Sequence, residues 1–174
     1  LNKAQLFARL LALGIGSSLA LSGAYLVGPW EGEVRTTYID PVGIKTVCYG
    51  HTGGYVKAGK TYTGNECVEI LARDLVEHNR EMQKYIRVPI NMYQNAAFTS
   101  FCFNVGVNAC RNSTAFKLLN QFNYAGACAQ IKRWIFAGGK VFAGLVNRRG
   151  DEYSMCMGTM KGLPLSPEVL NVYR

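Results

Sequence analysis

Between Leu10 and Trp30 the chain carries no charged side chain, and none of its six cysteines lies in that stretch. A run of 21 uncharged residues is about what one membrane crossing needs. Lys3 and Arg9 precede it, and Glu31 and Glu33 follow it. By the positive-inside rule the N-terminus then stays cytoplasmic and everything after Trp30 is exported. An even number of cysteines beyond the run, Cys48, Cys67, Cys102, Cys110, Cys128 and Cys156, argues against a reduced cytosolic protein and for disulfides. Tight metal-ligand spacing is missing as well. Cys48 with His51, alone as a thiol and its base or together with Cys67 and His78 as a zinc site, matches no compact pattern, and exported cysteines are more often bridged. There are no long repeats, no low-complexity segment, and no basic helix or nucleic-acid module among the dispersed Lys and Arg.

What the chain does have is an excess of positive charge, 19 Lys and Arg against 11 Asp and Glu, for a net +8 and a pI near 9.3. The partner is therefore expected to be anionic, and cell-wall polymer or anionic lipid suits an exported chain better than nucleic acid. A length of 174 residues, 49% of them hydrophobic, supports one compact domain with its own core once a short N-terminal appendage is set aside, and the expected state is a monomer.

The uncharged run is a soft membrane segment. Its eight Leu, Ile and Val residues contribute only a few kcal/mol, at about −0.3 to −0.6 kcal/mol each, and Gly14, Gly16, Gly23, Gly28, Ser17, Ser18 and Ser22 subtract from that. Three readings stand open: a cleaved signal peptide, for which Ser22-Gly-Ala24 is a small-x-small site; a permanent anchor; and an anchor that inserts and later leaves.

Beyond it, residues 33 to 56 are rich in Thr, Tyr, Val and Ile and are punctuated by Asp40-Pro41 and Gly43, which predicts short strands around a tight turn. From Thr63 the period becomes helical. Thr63-Gly-Asn-Glu66 forms a capping box, and Val68, Leu71, Leu75 and Val76 share a face in a helix running to about Ile86. Pro89 and Asn91 reset the chain before a helix over 93–105 that is apolar on most sides and so buried. Further helices are expected near 113–121, 125–136 and 145–157, with a turn at Ala137-Gly-Gly-Lys140 and an irregular end containing Pro164 and Pro167. The fold class is α+β, a small N-terminal antiparallel sheet with a mainly helical body. Of the 15 possible disulfide pairings, nearness in sequence and these elements favour 48 with 67, 102 with 110 and 128 with 156.

Glu31 and Asp40 are the candidate chemical pair. Glycoside hydrolysis needs a protonated carboxyl to donate to the leaving oxygen and an ionised one to activate water. Glu31, beside Trp30 at the edge of an apolar run, is expected to be partly desolvated, which favours the protonated form. Asp40 lies in a Pro and Gly turn among hydroxyl residues and is expected to stay ionised, with Thr46 on the returning strand to hold water.

These residues also carry a resemblance. Glu31-x8-Asp40-x5-Thr46, with Trp30-Glu-Gly before it, Tyr38 ahead of the Asp and Thr46-Val-Cys-Tyr-Gly-His-Thr52 closing it, resembles the catalytic region of phage-type lysozymes of glycoside hydrolase family 24. Phe101-Cys-Phe-Asn-Val-Gly106, Ser113-Thr114, Gly126-Ala-Cys-Ala-Gln130, Arg133-Trp134 and Gly144-Leu-Val-Asn-Arg-Arg149 resemble the helical body of the same family, so the likeness covers residues 29 to 158. It implies a lysozyme-like fold and a muramidase that cleaves peptidoglycan by inversion, with Glu31 as acid, Asp40 as base and Thr46 as its partner, and with no cofactor or metal. Phe103, Asn104 and Ser113 would contact the saccharide. Two positions depart from the pattern: Glu33 is a second carboxylate beside the acid with Arg35 one place late, and Gly150 follows Arg148-Arg149. The pair Arg148-Arg149 is open to three readings, contact with anionic peptide stems, solvation, or pairing with a carboxylate such as Glu152. The run before the domain is similar to the signal-arrest-release segment of some phage endolysins. This implies a division at residue 28, with 1–28 as that segment or a signal anchor and 29–174 as the catalytic domain. The protein would be exported to the periplasm of a Gram-negative host, tethered to the inner membrane, and then released. The rival is a tethered wall-binding domain without activity.

Overall fold

The computed structural model describes residues 1–40, 43–52 and 56–164. Pro41 and residues 53–55, in the expected sheet region, and Pro167, in the expected irregular end, lie outside the described residues.

The uncharged run does not form one long helix. It breaks into the end of α1 (Lys3–Ala12), α2 (Ser17–Leu21), a π-helical stretch (Ser22–Val27) and α3 (Gly28–Glu31). No helix among the described residues is long and apolar enough to cross a membrane. Instead Leu6, Leu10, Leu21, Leu26 and Val27 are buried in the same cluster as Leu71 and Leu75 further along and Phe98 and Phe101 beyond them. The α1 start is closed by a capping box, Asn2 accepting from the Gln5 amide at 2.9 Å and Gln5 from the Asn2 amide at 3.1 Å. Close packing inside the segment depends on Gly28, where a Cβ would stand 2.8 Å from the Gly23 carbonyl oxygen and 2.8 Å from Leu6 Cδ2. The small residues that weaken membrane insertion thus also let the same segment pack tightly in a protein core.

A three-stranded antiparallel sheet follows, β1 (Val34–Ile39), β2 (Lys45–Cys48) and β3 (His51–Thr52), in that spatial order. Tyr38 faces Thr46 and Val34 faces Cys48, with the register slipping between them. The sheet leads into α4 (Gly64–Gln83), whose Thr63 and Glu66 make the expected capping box: the Thr63 hydroxyl accepts from the Glu66 amide at 3.2 Å, and Glu66 accepts from the Thr63 amide at 2.7 Å. Cys67, Val68, Leu71 and Leu75 are buried along one face, whereas Val76, expected on that face, lies at its edge and is exposed.

The helical body comprises α5 (Met92–Val105), α6 (Val107–Arg111), α7 (Thr114–Leu119), α8 (Tyr124–Ile131) and α9 (Ala143–Cys156). Every residue from Ala96 to Cys102 is buried, as an all-round apolar helix requires. The helix expected over 125–136 stops at Ile131 because the chain turns there into a second hairpin, β4 (Phe136–Ala137) with β5 (Lys140–Val141). Its two-residue tip, Gly138-Gly139, has positive φ at both positions, the hairpin conformation glycine accepts without strain. All three expected disulfides are present: Cys48–Cys67 joins β2 to α4, Cys102–Cys110 joins α5 to α6, and Cys128–Cys156 joins α8 to α9.

Candidate active site

Glu31 is the last residue of α3 and lies between two parts of the chain far from it in sequence. On one side Arg148 of α9 donates from Nη1 to its Oε1 at 2.6 Å. On the other, Gly50 in the turn between β2 and β3 leaves so little room that a Cβ there would come within 3.2 Å of Glu31 Oε2. Gly50 has φ +78°, a left-handed conformation that also favours glycine. The neighbouring Trp30 is held to the same helix, its indole N–H donating to Asp151 Oδ2 at 3.0 Å. The surroundings of Glu31 therefore differ from the apolar ones expected: a guanidinium faces it, and its side chain keeps 24% of its exposure.

Arg148 belongs to a buried cluster. Its Nε donates to Glu152 Oε1 at 3.2 Å and its Nη2 to the Ser100 carbonyl at 3.5 Å. Arg149 donates to Glu152 Oε2, to Asn104 Oδ1 and, at 3.0 Å, to the Trp134 carbonyl, with its guanidinium over the Phe101 ring. Ser100 adds a hydroxyl donor to Glu152 at 2.8 Å. Of the three readings open for the Arg pair, pairing with Glu152 is the one observed. The signal for burial was the spacing. Arg148, Arg149, Glu152, Met155 and Cys156 fall at i, i+1, i+4, i+7 and i+8 and are all buried, so the charges occupy the core face of an amphipathic helix.

Asp40 ends β1. Its Oδ1 accepts from the Ile44 amide at 2.8 Å, and its own amide donates to the Ile44 carbonyl at 2.9 Å, which closes the hairpin across its tip. Thr46, on β2, is buried and donates from Oγ1 to the Ile44 carbonyl at 3.2 Å. Asp40 and Thr46 are thus on the same hairpin, and Glu31 meets that sheet at its opposite end through Gly50. His51 of β3 anchors the sheet to α4, its Nδ1 2.8 Å from Asp74 Oδ2. Burial pushes the Asp74 carboxyl above its ordinary value, against the opposing pull of His51. Glu33, the second carboxylate beside Glu31 in sequence, is turned to Arg35 at 2.5 Å and to the Tyr49 hydroxyl at 3.1 Å. Despite the cost of burial, the bonds from Arg35 and Tyr49 hold its carboxyl below the usual value.

The expected saccharide contacts occupy different settings. Asn104 is exposed and joined through Arg149 to the cluster behind Glu31. Phe103 is half-buried against His78, ring centroids 4.7 Å apart. Ser113 caps α7, its hydroxyl oxygen accepting from the Phe116 amide at 3.2 Å. No group of three or more His, Cys, Asp or Glu among the described residues is placed to hold a metal ion.

A mixed fold in which a small antiparallel sheet is joined by a long helix to a helical body, with one carboxylate between them, defines the lysozyme-like class. The sequence model of the phage lysozyme family matches residues 28–152, and the chain belongs to that family. Among curated relatives, it is 41% identical over 147 residues to the SAR-endolysin of Bacteriophage PS119, covering 82% of this chain and 88% of the relative. It is 40% identical over 147 residues to that of Enterobacteria phage P21, covering 82% and 89%. Among solved structures, a P22 lysozyme mutant shares 31% identity with a TM-score of 0.71, covering 82% of this chain and 97% of that one. The active form of P1 phage endolysin Lyz has a TM-score of 0.76 at 20% identity, covering 93% and 97%, a likeness of fold.

Proposed function

We propose that this chain is an endolysin, a muramidase that hydrolyses the β-1,4 bond between N-acetylmuramic acid and N-acetylglucosamine in peptidoglycan and so lyses a Gram-negative host from the periplasm. The observation that carries the reading is the placement of Glu31, clamped between Arg148 and Gly50 at one end of the sheet, with Asp40 and Thr46 on the hairpin that forms its other end. Glu31 donates a proton to the leaving oxygen, Asp40 takes one from water, and Thr46 helps to place that water. Inversion follows from this division of roles and requires the two carboxyls to stand about 6.5–9.5 Å apart, leaving room for the water. Phe103, Asn104 and Ser113 contact the glycan. Asn104 carries two side-chain N–H donors and Ser113 a hydroxyl hydrogen that can serve that purpose. The net charge of +8 draws the enzyme to an anionic wall.

The N-terminal segment supplies the control. While residues 10–30 lie in the inner membrane, Trp30 and Glu31 cannot reach Asp151 and Arg148, so the site is unassembled. Once the segment leaves the bilayer, burial of its Leu residues in the protein core replaces burial in lipid, and the same step seats Glu31.

The test is turbidity clearing of outer-membrane-permeabilised Gram-negative cells by membrane-free protein and by protein held in vesicles, each as wild type and Glu31→Gln, with the muropeptides analysed by mass spectrometry. The expected result is products ending in reducing N-acetylmuramic acid from the membrane-free wild type alone. Equal clearing by the vesicle-held form removes the control, and no cleavage by folded wild type leaves a wall-binding domain.

A further inference from the structure

Glu152 is fully buried, and three donors converge on its carboxylate: Ser100 Oγ at 2.8 Å and Arg148 Nε at 3.2 Å on one oxygen, and Arg149 on the other. We propose that Glu152 is a positioning residue for Glu31: it fixes the edge of the Arg148 guanidinium so that Nη1 aims at Glu31, and it balances the second buried cation, Arg149. The proposal rests on the reading of Glu31 as the acid.

Two features of the geometry support it. The first is orientation. Arg148 uses Nε for Glu152 and Nη1 for Glu31, so the planar guanidinium bridges the two carboxylates, and holding one edge sets the direction of the other. The second is charge. Arg148 and Arg149 bring two positive charges into the core and Glu152 one negative charge, so the cluster presents a single net positive charge to Glu31. Among the described residues, the other charged groups near Glu31 are turned to partners of their own. Gly50 in the facing turn is uncharged, His51 beside it is turned to Asp74 of α4, Asp151 of α9 is taken by Trp30, and Glu33 by Arg35 and Tyr49. With Glu152 neutralised, the excess positive charge beside Glu31 favours its ionised form, the form that cannot donate.

The experiment measures pH–rate profiles on peptidoglycan, together with thermal melts, for wild type, Glu152→Gln, Arg149→Gln and the double variant. Glu152→Gln is expected to move the alkaline limb about one pH unit lower and to reduce kcat near neutral pH about tenfold, with KM unchanged. Arg149→Gln, which removes a cation and keeps the anion, is expected to move that limb higher. The double variant, with the same net charge as wild type, is expected to return it toward the wild-type position. Should Glu152→Gln not fold, the opposite shift in Arg149→Gln still tests the idea. A limb unmoved in the folded single variants, with any loss of rate tracking the unfolded fraction, overturns it, as does a double variant whose limb stays displaced. Glu31→Gln is assayed alongside. Full activity in that variant removes the acid assignment and this inference with it, whereas an inactive Glu31→Gln combined with unmoved limbs removes only the inference.

Discussion

At the scale of single residues, the proposed site rests on two contacts made to Glu31 from opposite sides. Arg148 supplies a charged hydrogen bond, and Gly50 supplies space. A methyl group at position 50 meets the Glu31 carboxylate and also forces a non-glycine residue into a left-handed backbone at φ +78°. The backbone alone costs about 1–2 kcal/mol. Gly50→Ala is therefore expected to lower the denaturation midpoint modestly and to reduce kcat by more than the unfolded fraction accounts for, which paired urea melts and muropeptide assays will separate. In sequence, residue type and spacing together with the family resemblance were enough to name Glu31, Asp40 and Thr46 as candidates. The Arg148 contact was not, because it joins positions 117 residues apart and a basic pair on a helix is more commonly solvated.

Among the elements, α4 joins the sheet to the helical body, and its start is defined by the Thr63 and Glu66 capping box. Lys60 and the Thr63 amide hold the Glu66 carboxyl down to about 2, from an ordinary 4.5. A lowered folded value means that the contribution of Glu66 to stability is present above the unfolded value and is lost as pH falls from about 4.5 toward 2. Glu66→Gln keeps an acceptor for the cap but loses the charge. We expect its deficit in melting temperature relative to wild type to be largest at neutral pH and to close on acidification through that window, as followed by circular dichroism. Elements with strong local signals, the α4 cap and the apolar α5, were legible in the sequence with small errors at their ends. The turn at Ala137-Gly-Gly-Lys140 was legible, but the strands β4 and β5 on either side of it were missed because each is only two residues long, too short to show a period.

For the molecule as a whole, the N-terminal segment is part of the same core as the sheet and the helices. Six of its large apolar residues, Leu6, Leu10, Leu19, Leu21, Leu26 and Val27, are buried. At about 1.5–3 kcal/mol for each, their loss rivals the roughly 5–15 kcal/mol by which a whole domain is stable. A chain restricted to residues 29–174 is therefore expected to lack a cooperative thermal transition by calorimetry, while the full chain in membrane-free solution unfolds in one. Such cooperative unfolding of the truncated chain would separate the segment from the core energetically. The sequence by itself determined the class of the fold, the pairing of the cysteines through local proximity, the candidate carboxylates, and a first segment that is uncharged but rich in small residues. Those properties follow from short-range periodicity, turn chemistry and composition, which neighbouring residues carry on their own. Only the tertiary structure decided where that segment packs, that Arg148 and Trp30's partner Asp151 reach it from α9, and that Arg149 and Glu152 are buried behind the site, because burial and charge pairing arise when distant parts of the chain share one dry interior.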